Sequence, residues 1–72
     1  MRTFGVLNGW FNDRNYGFIH VEHGDVILKH FLHRENIRSG VPRIGATVRF
    51  KSVICSKGYI AVDAEILDGG AK

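Results

Sequence analysis

Asn15-Tyr16-Gly17-Phe18-Ile19-His20 is the stretch that decides how this chain is read. Side chains alternate along a β-strand, so Tyr16, Phe18 and His20 share one face and Gly17, Ile19 and Val21 the other. Ile19 and Val21 already form a core-like set, which leaves the ring-bearing face toward solvent. Trp10 lies just upstream, and basic residues are interleaved throughout. Exposed flat rings among positive charges suit unpaired bases, which stack on the rings while their phosphates meet Lys and Arg. The bland alternative keeps Tyr16 and Phe18 as the inner face of a two-sheeted packing, since aromatics are common in strands.

Similar short runs flank this one. Phe4 to Phe11 alternates, with Val6, Asn8 and Trp10 against Gly5, Leu7, Gly9 and Phe11. Asn12-Asp13-Arg14-Asn15 is a turn cluster. Tyr16 to Glu22 is a second strand, closed by His23-Gly24-Asp25 as a tight hairpin, and Val26 to His30 is a third. Phe31 to Gly45 holds no clean period; a short helical turn near Leu32 to Asn36 is expected there, then a loop that Pro42 and Gly45 end. Ala46 to Ile54 sets Val48, Phe50 and Ser52 against Thr47, Arg49, Lys51 and Val53. After a Ser56-Lys57-Gly58 turn, Tyr59 to Ile66 places Ile60, Val62, Ala64 and Ile66 on one face. Five short strands without a long helix predict an all-β fold, and a five-stranded antiparallel barrel best hides its sheet edges. An RRM also exposes aromatics on strands, but it needs two amphipathic helices that this chain lacks. The domain is expected over residues 1–67, with 68–72 a frayed tail.

The chain's 72 residues allow one domain and one small core. An apolar fraction of 44% with 24% charged residues is globular rather than disordered. No run of about 18 apolar residues marks a membrane span, and no apolar segment follows Arg2 to mark a secretory signal. The one cysteine, Cys55, makes no internal disulfide and fits a reducing, cytoplasmic setting; beside Val53 and Ile54 it reads as a buried, inert thiol. A net charge of +3 favours a polyanionic partner over an acidic-site binder. His20 with His23, and His30 with His33, lie three apart, but no cysteine pair or acidic cluster completes a zinc spacing. Asp13, Asp25 and Asp63 form no recognisable carboxylate pair, and there is no Ser-His-Asp pattern or phosphate-cradling glycine loop. No catalytic residue, cofactor, metal or small-molecule substrate is therefore expected.

Gly5 to Ile19, joined to Asp25-Val26-Ile27-Leu28-Lys29-His30, resembles the cold-shock domain, a five-stranded OB-type barrel. That family's first nucleic-acid motif, Lys-Gly-Phe/Tyr-Gly-Phe-Ile, is matched by Arg14-Asn15-Tyr16-Gly17-Phe18-Ile19. Its second, Val-Phe-Val-His-Phe/His, is aligned with Val26-Ile27-Leu28-Lys29-His30. Pro42 to Phe50 looks like the approach to the family's fourth strand, and Lys57 to Ala64 like its last. The likeness covers about residues 4 to 66.

Departures from the pattern bear on function. The family's tryptophan comes four residues after the first glycine; Trp10 comes one later, with Gly9 in the usual slot. Alternation keeps Asn8 and Trp10 together on the outer face and turns Phe11 to a partly buried edge. Asn15 replaces a glycine, and Asn tolerates the left-handed region better than most residues. In the second motif Ile27 replaces a ring, Lys29 replaces histidine and His30 is the last ring. The following loop, Ile37 to Val41, lacks the usual phenylalanine, and Arg38 is offered as a stacking substitute. Two lost rings remove roughly 2–6 kcal/mol of gross stacking, so weaker and more salt-sensitive binding is expected. The resemblance implies a monomer that binds single-stranded RNA or DNA as a chaperone or a modulator of transcription or translation. Bases would stack on Tyr16, Phe18, Trp10 and marginally His30. Lys29 and Arg14 would follow phosphates, with Asn8, His20 and Arg38 at the margins. The rival keeps the fold as a protein-interaction module with an apolar patch of Ile27, Ile37 and Val41.

Overall fold

The structure, a computed structural model, describes residues 2–67; the expected tail at 68–72 lies outside them. Six strands follow in order: β1 (Thr3–Phe11), β2 (Tyr16–His23), β3 (Val26–His33), β4 (Ile37–Ser39), β5 (Thr47–Cys55) and β6 (Gly58–Leu67). They form one sheet, β3-β2-β1-β5-β6-β4, and a further pairing of β3 with β6 closes it. This is the expected five-stranded OB-type barrel, with β4 added along β6. The ladders joining β1–β2, β2–β3, β1–β5 and β5–β6 are antiparallel. The closing β3–β6 ladder and the β4–β6 ladder are parallel. The expected helical turn is a single 3-10 turn, Arg34–Asn36, because β3 runs on through His33.

Alternating inward residues fill the barrel: Leu7, Ile19, Leu32, Val48, Phe50, Ala61, Ala64 and Ile66. The pattern expected for β6 fails halfway along. Arg49 pairs with Glu65 but Lys51 with Val62, so two residues of β6 face Phe50. Asp63 carries the irregularity, with φ of 54°. Its carbonyl accepts from Arg2 Nη1 at 2.8 Å and its carboxylate from Arg2 Nη2. Inward facing therefore passes from Ala61 to Ala64 and Ile66, not through Ile60 and Val62.

Beyond Phe50 the β5–β6 hairpin outruns the barrel, and Val53, Ile54 and Cys55 are all exposed. The expectation of a buried thiol is corrected accordingly: Cys55 is exposed, since its apolar neighbours lie where no second layer covers them. Turn chemistry follows the sequence closely. Asn15 takes φ of 61° and Gly24 takes 65°, the positive values that their two turns require.

Candidate functional site

The site is built by the β2–β3 ladder. Tyr16 lies opposite His33, Phe18 opposite Phe31, and His20 opposite Lys29. Alternation sends these six outward, while Gly17, Ile19, His30 and Leu32 are buried behind them. The rings form one cluster: Tyr16 is 5.2 Å from Phe31 and 6.0 Å from Phe18, and Phe18 is 5.9 Å from Phe31, centroid to centroid. His33 extends the row at 6.5 Å from Phe31. Lys29 Nζ stands 5.0 Å above the Phe18 ring, a cation–π geometry that also brings an ammonium beside the stacking surface. The turn anchors this face, since Asn15 N–H donates to the Phe11 carbonyl at 2.8 Å and Arg34 N–H donates to the Asn15 carbonyl at 2.8 Å.

A bulge in β1 corrects the placement of Trp10. Leu7 pairs with Ile19 and Gly9 with Phe18, so Asn8 is an extra residue without a partner on β2. It stays exposed. Past it the alternation reverses, because one unpaired residue turns every later side chain to the opposite face. Trp10, opposite Gly17, falls on the inner side and packs half-buried against the core, its Nε1–H donating to Asn12 Oδ1 at 2.9 Å. Phe11 takes the outer position instead, 45% exposed and 5.5 Å from the Tyr16 ring. Gly17 is required here: a Cβ there would strike the Gly9 carbonyl oxygen and stand 2.6 Å from Trp10 Cε3. Gly9, facing outward beside Phe18, leaves open space where a side chain would stand.

The second motif is also corrected. His30 does not reach the outer face. It is only 2% exposed, its Nε2 is 2.8 Å from Ser52 Oγ, and its ring lies 4.9 Å from both Phe50 and Tyr59. A histidine that shares a hydrogen bond in this way is tolerated in an apolar interior, and burial pushes its pKa below the ordinary histidine value. The outward rings of β3 are instead Phe31 and His33, opposite Phe18 and Tyr16. The two rings counted as missing are thus accompanied by two unexpected ones, Phe11 and Phe31. His33 is fixed by its neighbour: Nδ1 accepts from Glu35 N–H at 3.1 Å, so the neutral ring carries its proton on Nε2.

Other expected residues are distributed differently. Arg14 is exposed in the turn before Tyr16. Arg38 does not substitute for a ring; on β4 its Nη1 lies 3.6 Å from Asp63 Oδ1 and 3.7 Å from Glu65 Oε2. The apolar patch of the rival reading loses Ile37, which packs against the core, while Ile27 and Val41 stay exposed.

No protein-family profile matches the sequence, and no curated protein sequence matches it. Solved structures do match. One is Drosophila Unr CSD456, with a TM-score of 0.72 over 100% of this chain at 18% identity. The likeness is one of fold, an OB-type barrel. This chain spans 29% of the Unr chain's length, so the likeness speaks for one barrel and not for the longer protein.

Proposed function

We propose that this domain binds single-stranded nucleic acid, RNA or DNA, by stacking bases on the outer face of β1–β3. The observation that carries the reading is the in-register pair of rows Tyr16–His33 and Phe18–Phe31 with Lys29 above Phe18. Ring faces accept any base, and the ammonium meets the phosphate that follows it. His33 Nε2–H supplies a donor to a base or backbone oxygen. A base held on a protein ring cannot pair with another base, so the domain holds strands open as a monomeric chaperone or a modulator of transcription or translation in the cytoplasm. It needs no cofactor and performs no chemistry.

The test is anisotropy of labelled single-stranded oligonucleotides titrated with the protein at two salt concentrations, with Phe18→Ala alongside. Saturable binding that weakens with salt and falls about 5- to 150-fold in the variant supports the reading. No binding by a folded wild-type chain refutes it.

A further inference from the structure

The ring cluster does not end the outer face. Val6 lies opposite His20 on one side and Thr47 on the other. Two residues along the same face stands Phe4, opposite Arg49 of β5. Phe4 is 56% exposed and Val6 45%, although β1 has inward positions for apolar residues and fills them with Gly5 and Leu7. A large ring is thus held toward solvent on the same sheet face as Phe18, beyond the positions already described.

The surface beside Phe4 is cationic. Arg49 donates from Nε to Glu65 Oε1 at 2.9 Å, and Arg38 reaches both Glu65 and Asp63. Arg2 holds Asp63, and Lys51 is near enough to act on the same carboxylate. Four cations therefore share two carboxylates, and Arg38 and Arg49 keep 60% and 42% of their side chains exposed. On the other side, Glu22 continues the outer face of β2 past His20. A polyanion leaving Phe18 and Lys29 is repelled along β2 and attracted across β1 toward β5.

We infer that Phe4 is a further stacking position, and that a single strand runs from the ring cluster over Val6 onto Phe4, its phosphates meeting Arg49, Lys51, Arg2 and Arg38. The inference rests on the proposed function and lengthens its site. Each two-residue step along a strand advances about 7 Å, so the Phe4 row lies about 20 Å from the Tyr16 row. The site then takes a longer strand than the ring cluster alone.

The test uses the whole chain and oligothymidylates of about 4 to 12 nucleotides, within the range an OB barrel covers. Wild-type affinity is expected to keep rising with length, and Phe4→Ala to lose about 5- to 150-fold on the longest oligonucleotides while short ones bind unchanged. Arg49→Gln is expected to flatten the salt dependence on long oligonucleotides only. Phe4→Ala matching wild type at every length, with Phe18→Ala still weak, overturns this inference and spares the proposed function. Absence of wild-type binding at every length overturns both. A wild-type dimer in sedimentation that Phe4→Ala dissociates, with oligonucleotide affinity unchanged, assigns Phe4 to a protein contact and also overturns it.

Discussion

Replacing Gly17 with alanine tests how β1 and β2 are fitted together beneath the rings. The added Cβ would overlap the Gly9 carbonyl oxygen, lie 2.6 Å from Trp10 Cε3 and 3.0 Å from Trp10 Cα. The indole edge can rotate away, but the two backbone atoms move only if β1 moves. Overpacking of this kind costs about 1–3 kcal/mol, and more where backbone must shift. A 72-residue domain has roughly 4–11 kcal/mol of stability in total. At about 4–8 °C per kcal/mol for a domain this small, the midpoint should fall by about 4–24 °C. Thermal and urea unfolding, followed by Trp10 fluorescence and far-UV circular dichroism, give both numbers. Gly9→Ala is the control, since nothing lies within 4 Å of its Cβ; it should stay within about 0.5 kcal/mol of wild type. Equal stability of the two variants would refute the placement of Trp10 across Gly17, and with it the reversal of facing after Asn8.

Further predictions concern the ring face, the interior and the hairpin tip. Phe31→Ala should weaken oligonucleotide binding by about 5- to 150-fold while Ile27→Ala leaves it unchanged, because the sheet register puts Phe31 and not Ile27 among the rings; titration of both variants checks this. His30 is held neutral by burial, so the unfolded chain binds more protons just below its ordinary pKa. Stability should then be full above about pH 6.5 and fall as pH drops from there, by at most about 1.4 kcal/mol per pH unit from this group. Urea midpoints measured across that range should show less of this fall in His30→Gln. The Cys55 thiol should react with a chromogenic disulfide reagent in the native protein as fast as in urea, given its exposure at the end of β5.

Much of this molecule is legible from period-two patterning alone: the five barrel strands, the turn at Asn15 and the ring face of β2. What patterning misses are the places where one strand gains a residue on its partner. Asn8 and Asp63 each do so, and beyond each of them the inner and outer sets exchange. No count along a single strand records that exchange, because a bulge is a property of a pair. Period-two patterning consequently puts Trp10 and Phe11 on each other's faces. The Asp63 bulge has a local signal in retrospect: aspartate tolerates the left-handed region, and Ala61 and Ala64 are the small residues it turns inward. His30 departs from the expected outer face for a different reason. Histidine is amphipathic, and the Ser52 hydroxyl that bonds its Nε2 in the interior lies 22 residues away in sequence.

The closing ladder between β3 and β6 consists of two residue pairs, His30 with Tyr59 and Phe31 with Ile60. By comparison, β2 and β3 are joined over eight pairs. The barrel is therefore a long sheet fastened by a short clasp, and the clasp is where opening breaks the fewest backbone hydrogen bonds. Both of its β3 residues have second tasks: His30 plugs the interior, and Phe31 stands in the ring cluster. A ligand that binds only the closed form slows opening by mass action. If the proposed site is occupied, amide hydrogen exchange around Phe31, Tyr59 and Ile60 should slow, a readout of occupancy from inside the fold.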